Sequence, residues 1–203
     1  QRIRQNGWCQ GAVFREEDSI TLSEEFGIRI PDGGRLIVLS HDCDVVHSGD
    51  AEPNVEVGLV CRLDEGVSGH KTYGKNPRFL HLEVDVGPGR TPVEIGAALR
   101  HFIPREHLEN YLPDPDFGLS GQHVAQIRRW LSNRYSRPAL PDAFNTRVSA
   151  VSQNPVRRSL KQKAKYISGL FIALKTWGEL SDREDYDITV LATMEVEDYE
   201  IEP

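Results

Sequence analysis

The feature that most constrains this chain is the apolar run Leu36-Ile37-Val38-Leu39, launched from the turn Pro31-Asp32-Gly33-Gly34 and ending in Ser40-His41-Asp42-Cys43-Asp44. Both alternate sets of the run are apolar, so a strand over 35–44 is expected to be buried on both faces and to lie inside the fold. A buried strand that delivers imidazole, carboxylate and thiol groups to its own C-terminal end is a common way to build a site.

The remaining pattern is strand-rich first and helical later. Gly11-Ala12-Val13-Phe14 reads as a short strand, and 20–30 is ambiguous. Val55 to Cys61 reads as a strand with Val55, Val57, Leu59 and Cys61 on one face, and 79–84 as another. A short helix is expected within 104–111. Val124, Ile127 and Leu131 give 121–135 the clearest helical period. Helices starting at Pro141 and Pro155 follow, and the chain returns to strand at 166–174 and 186–194. With 203 residues and no internal repeat, the expectation is one α+β domain over 1–203. Its antiparallel sheet curls into a small barrel, strand-rich over 8–100, with a basic helical insertion over 104–165 and returning strands over 166–196. Two sub-domains divided near Asp114 are the alternative.

Charge is distributed unevenly. Ten basic residues between Arg128 and Lys165 face one acidic residue, Asp142, giving that segment +9 within a chain of net charge -7. With Trp130, Tyr135, Phe144 and Tyr166 interleaved, the segment has the makings of a surface that tracks phosphates and stacks on bases, of either RNA or DNA. Arg129, Arg134, Tyr135, Arg137, Arg157, Arg158 and Lys161 are its candidate contacts, with Lys75 and Arg78 from the turn 74–78. The plainer reading is a solvated outer face paired with the protein's own carboxylates or with a protein partner. Three widely spaced cysteines, Cys9, Cys43 and Cys61, argue against a disulfide framework and for a cytoplasmic setting. No apolar window is long enough to span a membrane.

Three chemistries compete at 41–44. In extended geometry His41 and Cys43 point to one side, and Asp42 and Asp44 to the other. On the carboxylate side, Asp42 and Asp44 with Glu56 form a set that suits a hard divalent metal ion, with Lys75 or Arg78 stabilising a phosphate, as in phosphodiester hydrolysis. On the other side, His41 beside Cys43 suits an activated thiol, or a general base toward an RNA 2'-hydroxyl. Zinc held by His41, Cys43 and His47, with Cys9 or His81, is a third option without a standard ligand spacing. Each residue also has a structural role open to it: an inert thiol, a turn-capping carboxylate, a satisfied histidine.

Gly11-Ala12-Val13-Phe14, then Gly34-Arg35 and an apolar strand closing on Ser40-His41-Asp42, resembles the opening of the MazF/PemK-like toxin barrels over the first quarter to third of the chain. The resemblance implies an SH3-like β-barrel and metal-independent RNA cleavage, with Arg35 and Ser40 at the matching positions. The Ser-His-Asp-Cys-Asp run also looks similar to bacterial proteins with no attached activity. The expectation is therefore a nucleic-acid-binding protein and a nuclease of toxin or phage-defence type. The alternative is a non-catalytic binding or assembly subunit whose basic helices dock nucleic acid or an acidic partner.

Overall fold

The structure, a computed structural model, describes residues 2–47, 52–86, 89–136, 139–150 and 155–194, and for 155–157 the backbone only. It is an α+β fold. Its helices are α1 (Arg2–Gln5), α2 (Glu16–Phe26), α3 (Asp42–Val46), α4 (Gly121–Ser136), α5 (Asp142–Ala150) and α6 (Pro155–Gln162). Its strands are β1 (Arg35–Val38), β2 (Asn54–Arg62), β3 (Phe79–Val86), β4 (Gly89–Pro104), β5 (Phe117–Gly118), β6 (Ile167–Leu174) and β7 (Ile188–Met194). Strands β1 to β5 form an antiparallel sheet in the order β1-β2-β4-β3-β5.

This sheet curls into a half-barrel. Residues 11–14 lie along the free edge of β1, with Gly11 N–H donating to Val38 O and Phe14 N–H to Leu36 O. Phe14 in turn bridges Pro113, and the chain from 113 runs on to β5 at the opposite edge. Arg35 is ion-paired with Asp114 and Glu16, which fastens this crossing segment to the start of β1.

As the two-sided apolar pattern requires, β1 is buried on both faces. Ile37 and Leu39 enter an inner core with Val60, Leu80, Leu82, Val93 and Ile95, closed by Ile127 and Trp130 of α4. Leu36 and Val38 enter an outer core with Trp8, Phe14, Leu22, Val55, Val57, Ile103 and Leu108. Trp130 is fully buried, and its indole N–H donates to Asn76 O at 2.8 Å, anchoring α4 to the turn before β3.

Strand β4 carries the irregularity that opens the site. Between the pairs Val60↔Ile95 and Gly58↔Arg100, β4 holds four residues, 96–99, against the single Leu59 of β2. The excess shifts the inward-facing set from odd positions (Val93, Ile95) to even ones, so Arg100 and Phe102 lie across from Gly58 and Glu56 on the concave side. Strand β3 pairs with β4 only as far as Gly96, leaving the rest of that edge of β4 without it. The concave face is thus apolar under α4 and polar at its mouth.

The structure departs from several sequence expectations. The central strand does not run to Asp44: it stops at Val38, and 42–46 are helical. The reason is local. His41 is the N-cap, its Nδ1 accepting the Cys43 amide at 3.3 Å, while Asp42 and Asp44 sit in the first turn, where the helix dipole favours negative charge. The ambiguous 20–30 stretch belongs mostly to α2, ended by Gly27 in the left-handed conformation at φ +64 with its N–H bonded to Ser23 O. The segment 11–14 makes single bridges in place of a full strand, and 105–109 is a 3₁₀ turn. Strands β6 and β7 pair with each other in a separate two-stranded sheet. No helix among the described residues is long and apolar enough to cross a membrane.

Candidate functional site

Two adjoining clefts open at the mouth of the half-barrel, between the end of β1, the β2–β4 ladder and α4. The first, about 340 Å³, is lined among others by Gln10, Ser40, His41, Phe102 and Arg128 and by three carboxylates, Asp44, Glu52 and Glu56. The second, about 600 Å³, is lined by Glu56, Ala97, Ala98, Arg100, Phe102, Arg134 and Tyr135. Glu56 and Phe102 belong to both, so the clefts form one groove.

Its floor is fixed by backbone bonding. Leu39 N–H donates to Glu56 O at 2.8 Å, and the Glu56 amide donates back to Ser40 Oγ at 2.8 Å. Gly58 leaves room for Leu39, which lies over this part of β2: a Cβ on it would stand 2.7 Å from Leu39 Cδ1, so the leucine side chain would have to shift. Gln10, buried, donates from Nε2 to Leu39 O at 2.7 Å and accepts from Arg128 Nε at 3.2 Å, tying α4 to the end of β1. Its own backbone amide donates to Asp42 Oδ1 at 2.7 Å.

The wall of the second cleft is a chain of charge-assisted contacts. Arg100 pairs with Glu56 Oε1 at 2.8 Å and donates to the Tyr135 hydroxyl, its guanidinium carbon 5.6 Å from the ring centroid. Arg134 donates to Pro77 O at 3.1 Å. Because Nδ1 of His41 accepts the Cys43 amide, the neutral ring carries its proton on Nε2 and acts through that atom as a donor.

The structure therefore gathers His41, Asp44 and Glu56 of the expected catalytic group, together with Ser40. Asp42 instead holds Gln10, and Cys43 is exposed outside the lining of either cleft. The alternation of sides expected at 41–44 disappears because the segment is helical, not extended. Among the described residues no three His, Cys, Asp or Glu side chains converge as a metal site, so neither Asp42, Asp44 and Glu56 nor a zinc set on His41, Cys43 and His47 is assembled. Burial, and then the Asp42 carboxylate, push the Cys9 thiol up; burial and Glu94 do the same to Cys61. Of the two positions marked by the toxin-barrel resemblance, Ser40 lines the groove. Arg35 sits at the other end of β1, bound to Asp114 and Glu16.

The basic segment divides. On α4, Arg128, Arg134 and Tyr135 line the groove, while Arg129 is exposed on a different side of the helix and lines neither cleft. Arg158 and Lys161 are exposed on α6; the Arg157 side chain and Arg137 lie outside the described residues. Arg147 is spent internally, donating to the carbonyls of Leu180, Ser181 and Glu184. Trp130 and Phe144 are buried, so neither ring serves as a stacking surface. Lys75 donates to Ala164 O and to Ile167 O, the latter at 2.6 Å, and burial pushes its ammonium down to about 8, which marks it as a brace between the 72–76 turn and β6. Arg78 is exposed in the turn before β3.

Sequence reasoning missed Arg100 and Phe102, the two groove residues on β4. The bulge over 96–99 breaks the two-residue period that would have marked them. Gln10 also left no signal, being a polar residue in a loop until the fold buries it.

No family model, curated protein or solved structure matches the chain.

Proposed function

We propose that the protein binds a nucleic-acid strand along this groove and cleaves it there. The observation that carries the reading is the juxtaposition, in two clefts sharing Glu56 and Phe102, of three guanidinium groups (Arg100, Arg128, Arg134) and two aromatic rings with Ser40, His41, Asp44 and Glu56. Cations neutralise phosphates and rings stack on bases, so the groove answers both parts of a strand. Arg100 engages Oε1 of Glu56, and Oε2 accepts the proton of a 2'-hydroxyl or water as its oxygen bonds to phosphorus; the P–O5' bond breaks, and the departing 5'-oxygen takes a proton from water. The guanidinium groups and the His41 Nε2–H stabilise charge on the phosphoryl oxygens.

The test is incubation of end-labelled RNA and DNA strands with the protein, with and without divalent ions. Cleavage is expected, and Glu56→Gln is expected to slow it about 10²- to 10⁴-fold with the melting temperature lowered by only a few degrees. His41→Asn, which retains a capping side chain, separates the imidazole's chemistry from its cap. Strands left intact and unbound under every condition would overturn the proposal. In a cell the corresponding role is that of a toxin or anti-phage nuclease, and growth arrest on induced expression, relieved by Glu56→Gln, tests it.

A binding subunit without catalysis is the second reading. It is favoured by one observation: Ser40, His41 and Asp42 each accept a hydrogen bond from a backbone amide and so already have structural work. Tight binding with no cleavage by the wild-type protein would select it.

A further inference from the structure

Phe102 and Tyr135 are the most exposed large apolar side chains among those the fold leaves uncovered, at 69% and 71%, and both line the second cleft. Neither ring is needed by either core. The space beside them exists because positions 97 and 98 are both alanine and because β3 stops short along this edge of β4. Tyr135 is also held in place: Arg100 donates to its hydroxyl while bound to Glu56, and the neighbouring Arg134 is fixed on Pro77 O. Two uncovered rings beside an ordered row of guanidinium groups suit a planar, apolar-faced ligand attached to anionic groups.

Resting on the reading that the groove binds nucleic acid, we propose that the second cleft takes an unpaired base stacked on Phe102 and Tyr135, and that the ligand is single-stranded. In a duplex each base already has its faces covered by its neighbours, whereas a splayed base offers them to protein rings. The cleft volume of about 600 Å³ is enough for one unpaired base with its sugar. Phe102 also borders the first cleft, so a base stacked on it sets the neighbouring phosphate toward Arg128, His41 and Glu56. Base capture thereby positions the bond to be cut.

Three probes of equal length test this by fluorescence anisotropy: a labelled oligouridine strand, the same sugar–phosphate strand without bases, and a blunt duplex. Stacking is worth roughly 5- to 150-fold in affinity per base. The base-bearing strand is expected to bind more tightly than the abasic strand by a factor in that range. Phe102→Leu and Tyr135→Leu, both at exposed positions, are expected to weaken the base-bearing strand by a similar factor and so to narrow its advantage over the abasic strand. Equal binding of strand and duplex, or of base-bearing and abasic strands, overturns the stacking proposal while leaving the phosphate groove standing. Failure of all three probes to bind overturns the groove reading together with it.

Discussion

Neutralising the Glu56–Arg100 pair one side at a time tests whether the groove wall is held together in solution. The ion pair is 2.8 Å long, and each side chain is 21% exposed, so it lies between a surface pair and a buried one. Surface pairs contribute about 0–1 kcal/mol, and breaking a buried pair costs about 3–5 kcal/mol. A coupling of about 1–2 kcal/mol follows for the double-mutant cycle of Glu56→Gln and Arg100→Gln. Arg100→Gln alone should cost more than Glu56→Gln alone, because it also removes the contact with Tyr135, worth about 0.5–1 kcal/mol at an exposed ring. Urea unfolding of the four proteins gives the coupling directly, and each kcal/mol corresponds to about 2–4 °C in melting temperature for a chain of this size. A coupling below about 0.3 kcal/mol at low salt, within the scatter of independent sites, would refute the pairing and with it the fixed position of Tyr135.

Other expectations concern the elements that hold the groove. Lys75 has its proton affinity lowered by burial to about 8 from an ordinary 10.5, so the unfolded chain binds more protons between those values. Stability should therefore rise with pH across that window, and Lys75→Met should remove this contribution to the rise in pH-dependent melting. Glu94 behaves oppositely. Burial alone would raise its pKa, but hydrogen bonds from Lys71 and His81 outweigh this and hold the carboxyl below its ordinary 4.5. Its contribution is present above that value and lost as pH falls through the folded one, so Glu94→Gln should lessen the acid sensitivity seen in wild-type melting below pH 4.5. Trp130→Ala should cost about 3–5 kcal/mol in urea unfolding, since it empties a fully buried site and frees α4 from Asn76.

Much of the scaffold was legible because its elements follow a simple period. Leu36 to Leu39 announced a strand buried on both faces, and Val124, Ile127 and Leu131 announced α4; Pro141 and Pro155 marked the starts of α5 and α6. Helix α2 was harder, because only Ser19 and Leu22 are buried among its eleven residues. Helix α3 was hidden by the strand before it, since an apolar run followed by polar residues reads as one element when a histidine is the cap. The site was half legible. Ser40, His41, Asp44, Arg128, Arg134 and Tyr135 carry chemistry in local patterns, but Arg100 and Phe102 reach the groove only through the register shift in β4. Lys75 shows the converse: a cation in a glycine turn looks like a phosphate ligand until its ammonium is seen bound to two carbonyls.

The claim on which the functional account rests is that phosphates enter the groove and not the outer basic face of α6. The salt dependence of oligouridine binding tests it, because removing one phosphate-neutralising cation reduces the slope of log K against log salt by about 0.7 on a single strand. Arg128→Gln is expected to lower the slope by about that amount, whereas the pair Arg158→Gln and Lys161→Gln is expected to leave it unchanged. An unchanged slope for Arg128→Gln, with a reduced one for the α6 variant, would contradict the claim.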